Sequence, residues 1–79
     1  MERITEDILL EELNSWIAKN GLGRDEHDQR FGQYIWNNYV LDDVFPERNA
    51  ATDGFNSENP HTAYAIIYAK IIENNLKSK

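Results

Sequence analysis

The first pattern along the chain is helical. Leu9, Leu10, Leu13, Trp16 and Ile17 fall in one arc at roughly 100° per residue, while Glu11, Glu12, Asn14, Ser15 and Lys19 take the other side. Thr5 has the oxygen of an N-cap, Ile4 can staple onto Leu9 across it, and Glu6 and Asp7 suit the positive end of the helix dipole. Gly21 follows Asn20 as a left-handed stop, with Leu22 placed to fold back as the hydrophobic contact of that cap. A helix over 6–20 is the expectation.

A second helix is expected over 26–41, capped by Asp25 or Asp28. Its apolar residues Phe31, Tyr34, Ile35, Trp36, Tyr39, Val40 and Leu41 spread over most of the circumference and leave a polar strip of Gln29, Arg30, Gln33 and Asn37. Asn38 projects into the middle of the apolar arc. Gly32 in a helix interior costs about 1 kcal/mol against alanine, which points to a close neighbour.

Residues 42–58 break the pattern. Pro46, Asp53-Gly54 and the Asn, Ser and Glu content argue against a continuous helix, while Val44, Phe45 and Phe55 argue against disorder. An ordered loop covering an end of the bundle is expected. Asn59 and Pro60 then start a third helix over 60–76, with Lys77 and Lys79 near its negative end. Ile67, Ile71, Tyr64, Tyr68, Ile72, Ala65 and Ala69 form one broad face expected to be buried, and Ile66, beside Lys70 and Glu73, is expected to be exposed. The fold class read from this is all-α: a compact three-helix bundle, one helical domain over 1–79, with a long ordered loop between helices 2 and 3.

Composition narrows the function classes. The chain has 79 residues and no cysteine, so disulfides and zinc-thiolate sites are excluded. A domain this short buries only about 60–65% of its unfolded surface, and association is an accessible route to more stability. Fourteen acids against eight bases give a formal charge of −6, and Glu73 is the one acid after Glu58. That charge disfavours direct nucleic-acid binding. The N-terminus is acidic where a secretion signal is basic, and the longest run without a polar residue, 63–69, is too short for a membrane span. The chain reads as cytoplasmic, without membrane contact.

Chemistry-bearing constellations are sparse. His27 stands in Asp25-Glu26-His27-Asp28, but consecutive residues diverge on a helix, and the run suits a first turn better than a metal site completed by His61. The segment 49–54 lacks a third-position calcium ligand, and Pro60 occupies the place of the closing glutamate. Asp42-Asp43 reads as solvated, and Ser15, Ser57 and Ser78 lack a nucleophile elbow or a base. No catalytic, cofactor or metal residue is assigned.

Two features of helix 2 stand out. Asn38 either bonds the connection around 46–54 and pins it, or makes a polar contact within an interface; the first is favoured because a buried amide needs partners and long loops need anchors. Trp36 and Val40 are either covered by the connection or helix 1, or form an exposed patch of the kind that centres interfaces. Arg30-Phe31-Gly32-Gln33, with Asn37 four residues on and Pro46-Glu47 beyond, resembles a pattern in short uncharacterised bacterial and phage proteins, of which Thr52-Asp53-Gly54-Phe55 is a loose echo. The resemblance covers the middle third of the chain and implies no activity. It implies that Arg30, Gly32, Gln33 and Asn37 form a structural clamp, to which Asn38 is added.

The leading functional expectation is an interaction module binding a protein partner, or itself, through Trp36, Val40, Tyr39 and Ile66. The alternative is an acidic phage-type inhibitor, a decoy occupying a nucleic-acid-binding site on another protein. A small enzyme is a distant third.

Overall fold

A computed structural model describes residues 2–42, 44–45 and 57–77. Three helices, α1 (Glu6–Asn20), α2 (Phe31–Asn38) and α3 (Pro60–Lys77), carry the fold, with a long connection between α2 and α3. Expectations placed on 46–56, including Phe55, the 49–54 segment and the echo at 52–55, lie outside the described residues, as do Asp43, Ser78 and Lys79.

The first helix forms where the periodicity sets it. Thr5 is extended, and its hydroxyl accepts from the Ile8 N–H at 3.3 Å. Ile4 and Leu9 are both in the core. Gly21 ends the helix at φ 61°, and its N–H donates to Ile17. Leu22 does not fold back; it is 62% exposed. Leu10 also departs from its expected place, being 47% exposed while Leu9, Leu13 and Trp16 are buried.

The second helix is eight residues long, not the sixteen expected over 26–41. The aspartate assigned as a cap is the reason. Asp25 Oδ1 accepts from the backbone N–H of His27 at 2.9 Å and of Gln29 at 2.8 Å, and the Asp25 N–H donates to the Gln29 carbonyl. An aspartate that satisfies nearby amides offers the backbone an alternative to the helix. Asp28, the other expected cap, stands at φ 58°, a left-handed conformation that aspartate tolerates better than most residues. The helix therefore begins after Arg30, whose N–H donates to Gln33 Oε1 at 3.0 Å. It ends at Asn38 because Tyr39 turns extended and Val40 pairs with the N-terminal segment. Val40 N–H donates to Glu2 and its carbonyl accepts from Ile4, an isolated parallel bridge and not a strand.

The third helix starts as read, with Asn59 Oδ1 accepting from the His61 N–H at 2.8 Å. It runs antiparallel to α1, since Asn75 near its end donates to Glu6 at the start of α1. Between the helices lies a core of Ile4, Leu9, Leu13, Trp16, Phe31, Ile35, Trp36, Leu41, Phe45, Ala63, Ile67 and Ile71. Aromatic rings join its layers. Trp16 meets Phe31 edge-on at 5.6 Å and Tyr34 at 5.5 Å, and Trp36 meets Phe45 at 5.2 Å. Among the described residues no helix is long and apolar enough to cross a membrane.

Candidate functional site

Polar groups gather first around the turn between α1 and α2. Asn37 donates to Gln29 Oε1 at 2.7 Å, and Gln29 Nε2 donates to Asp25 Oδ2 at 3.0 Å. Across from this chain of bonds, Glu58 Oε1 accepts from Arg24 at 2.9 Å and from Arg30 Nε at 2.8 Å, while Arg24 also reaches Asp28 at 3.0 Å. The two guanidinium groups, Arg30 first, hold the Glu58 carboxyl down at about 2. Arg30, Gln33 and Asn37 thus each make a bond that fixes this turn or ties it to the residues before α3, and Gly32 is buried beside them. Asn38 is not buried in an apolar arc. It is exposed, and its amide donates to the Tyr34 carbonyl one turn back, because the helix ends there and leaves its side chain in solvent.

Between α1 and this turn lies a cleft of about 590 Å³, with Glu12, Trp16, Lys19, Asp25, His27 and Tyr34 in its walls. Most of its polar groups serve the fold, while Glu12 Oε2 is buried in its wall with no hydrogen-bond partner among the described residues. Tyr34 donates to Glu12, a bond that with burial raises the Tyr34 hydroxyl to about 12, and burial with the Glu12 charge pushes Tyr39 up as well. Trp16 Nε1 donates to Gly23 at 3.2 Å, and both Asp25 oxygens are engaged by the turn. His27 faces solvent and lies 3.6 Å from its sequence neighbour Glu26. Among the described residues no three His, Cys, Asp or Glu side chains converge as metal ligands. Among the described residues of the cleft no hydrogen bond joins the Ser15 hydroxyl to a base.

The apolar candidates from the sequence do not form one exposed patch. Trp36 is 7% exposed and meets Phe45 in a tilted ring contact, so the connection covers it. Tyr39 and Val40 are partly buried, with the Val40 backbone engaged by the N-terminal segment, and Ile66 is partly buried where exposure was expected. Among the described residues, the large apolar side chains that solvent reaches are Leu10, Leu22, Tyr68 (37%) and Leu76 (69%). Two of these lie on α3. Ala65, Tyr68, Ala69, Ile72 and Leu76 follow one another at spacings of three and four, an arc of about 100° opposite the core-facing Ala63, Ile67 and Ile71. Ala65 and Ala69 are exposed and Ile72 partly so, which corrects the single broad buried face expected of α3. Tyr68 is stacked on Tyr64 at 5.6 Å, which holds its ring at the edge of the stripe. Leu10 lies one turn along α1 from Glu6, whose carboxylate accepts from Asn75 of α3.

Sequence reasoning missed Glu58 and Arg24, which are thirty-four residues apart and carry no local signal of pairing. It also missed the outer α3 stripe. That spacing is visible in the sequence, and the signal was that one small core cannot take both faces of a helix. The chain matches no family model, no curated protein and no solved structure, so its function is read from geometry alone.

Proposed function

We propose that this chain is a small protein-interaction module whose contact surface is the outer face of α3, extended by Leu10. The observation that carries this is the second apolar stripe, with Leu76 69% and Tyr68 37% exposed on a helix whose opposite side is already packed. Apolar side chains left in water on one contiguous helix face gain free energy when a partner covers them, at about 25 cal/mol for each Å² removed from solvent. The reading moves the surface away from α2, since the tryptophan that would have anchored it there is part of the core.

The decoy reading draws on the charge of −6. It is weakened where acids already have cationic partners, as Asp28 and Glu58 do in Arg24 and Arg30. Tagged wild-type protein and the Leu76→Glu variant, each carried through stepwise salt with host lysate, separate these readings. An apolar contact gives a partner that survives high salt and is lost in the variant. Release of a basic partner at modest salt, unaffected by the variant, would favour the decoy.

A further inference from the structure

We propose that Asn20 and Gly21, at the end of α1, form a deamidation site whose rate is set by opening of the last turn of that helix. They are the one Asn-Gly pair in the chain. Deamidation begins when the backbone nitrogen of the following residue attacks the asparagine side-chain carbonyl, and a glycine there puts no side chain in the way. Space around the pair is open: Gly21 stands at a positive φ of 61°, and a Cβ built on it would meet nothing within 4 Å. The side chain is also free to turn. Asn37, Asn38 and Asn75 each donate their side-chain amides, to Gln29, Tyr34 and Glu6. Among the described residues no group receives that of Asn20. Water has access as well, since Asn20 is half-buried in the wall of the cleft beside α1.

The reaction needs water and no other co-reactant. The Gly21 nitrogen gives its proton to solvent and bonds to Asn20 Cγ. The Cγ–Nδ2 bond breaks, ammonia leaves with a proton from solvent, and a succinimide ring closes. Water then opens the ring at either carbonyl and leaves aspartate or isoaspartate at position 20. What holds the reaction back is the helix. The Gly21 N–H donates to the Ile17 carbonyl at 3.0 Å, and the Asn20 carbonyl accepts from Gly23 at 3.1 Å. The Gly23 carbonyl is held in turn by Trp16 Nε1 at 3.2 Å. The nitrogen can attack only when this turn opens, and element ends open at lower free energy than a core. The product weakens the same end. A carboxylate at position 20 meets the negative end of the α1 dipole, in a cleft that already holds Glu12, Asp25 and Glu26.

Wild type and Ala18→Gly, kept folded in warm, mildly alkaline buffer, test the gate, with urea-unfolded wild type as the reference. Peptide mass spectrometry reads the conversion of amide to acid at position 20, and circular dichroism confirms that both proteins are folded. Ala18 is exposed in the last turn of α1, so glycine there frays the turn and leaves the reacting pair intact. The folded wild type is expected to convert about tenfold or more slowly than the unfolded chain. Ala18→Gly is expected to convert about fivefold faster than the folded wild type. A folded chain that converts as fast as the unfolded one, or that does not convert at all, overturns the inference. So does Ala18→Gly reacting at the wild-type rate. Asn20→Asp carries the charge of the product from the start, and its thermal midpoint is expected roughly 2–5 °C below that of the wild type. An unchanged midpoint overturns the effect assigned to the product. None of these readouts passes through the outer face of α3, so the interaction module stands or falls separately.

Discussion

The two sides of α3 are made of similar residues and meet opposite fates. Ala63, Ile67 and Ile71 point inward and are almost wholly buried, while Ala65, Ile72 and Leu76, spaced just as regularly, point outward. Nothing in residue type separates an inner isoleucine from an outer one. What separates them is whether α1 and α2 stand opposite. An apolar side chain contributes about 1.5–3 kcal/mol when fully covered and almost nothing when left in water. A hydrophobic stripe therefore marks a face that can be buried, and the number of neighbours decides whether it is.

The comparison is broken most sharply by substitutions on the inner side. Phe31, which packs edge-on against Trp16 and is 1% exposed, is expected to cost about 3–5 kcal/mol as Phe31→Ala, through lost contacts and the cavity left behind. Ile67→Ala, at 0% exposure on α3 itself, is expected to cost about 2–4 kcal/mol. Its counterpart on the outer side, Leu76→Ala, is expected to stay within about 0.5 kcal/mol. Urea unfolding of the three variants checks this. A Leu76→Ala cost as large as that of Ile67→Ala would mean that the two faces are not different in kind.

The same contrast explains what the sequence discloses and what it hides. Helices α1 and α3 are legible because their ends carry local chemistry: Thr5 and Asn59 accept from the first turn, and Gly21 ends α1 at a positive φ of 61°. The start of α2 is misread because Asp25 could serve as a cap or as a turn-former. The choice belongs to Gln29 and Asn37, which complete the turn from the other side. Its end is misread because Val40 suits helix and extended backbone alike on the apolar pattern. Pairing with Glu2 and Ile4, almost forty residues away, decides it. Among the candidate interaction residues, Trp36 failed as an exposed anchor for a similar reason. Its cover, Phe45, lies beyond the helix and makes no local pattern with it. The clamp residues Arg30, Gln33 and Asn37 were legible as polar positions, but their partners Glu58 and Gln29 were not.

The cap of α3 sharpens the comparison, because it supports both faces equally. Asn59→Ala removes the oxygen that accepts from the His61 N–H and is expected to cost about 1 kcal/mol. Stability falls while the outer stripe keeps its residues, so any association should weaken only as far as the helix frays. Thermal unfolding, with partner capture at a temperature well below the midpoint, reads the two effects separately.

The smallest effect concerns Glu58, which ties the α1–α2 turn to the residues before α3 without touching either apolar face. Its carboxyl lies at about 2 in the folded chain, against an ordinary value of 4.5, because Arg30 and Arg24 both donate to it. A depressed folded value means that the unfolded chain binds the proton more readily. The stabilisation is therefore fully present above about pH 4.5 and is lost as the pH falls from there towards about 2. Glu58 is exposed, so water and salt screen the pair and the change is small. Glu58→Gln should flatten the acid limb of the stability curve in that window and do little at high ionic strength, where the wild-type limb also flattens. Because Glu58 contributes no side chain to the outer stripe of α3, the variant should leave capture of a partner through that stripe at neutral pH unchanged. A variant that unfolds in acid along the wild-type curve would show that the two arginines hold Glu58 without stabilising the fold.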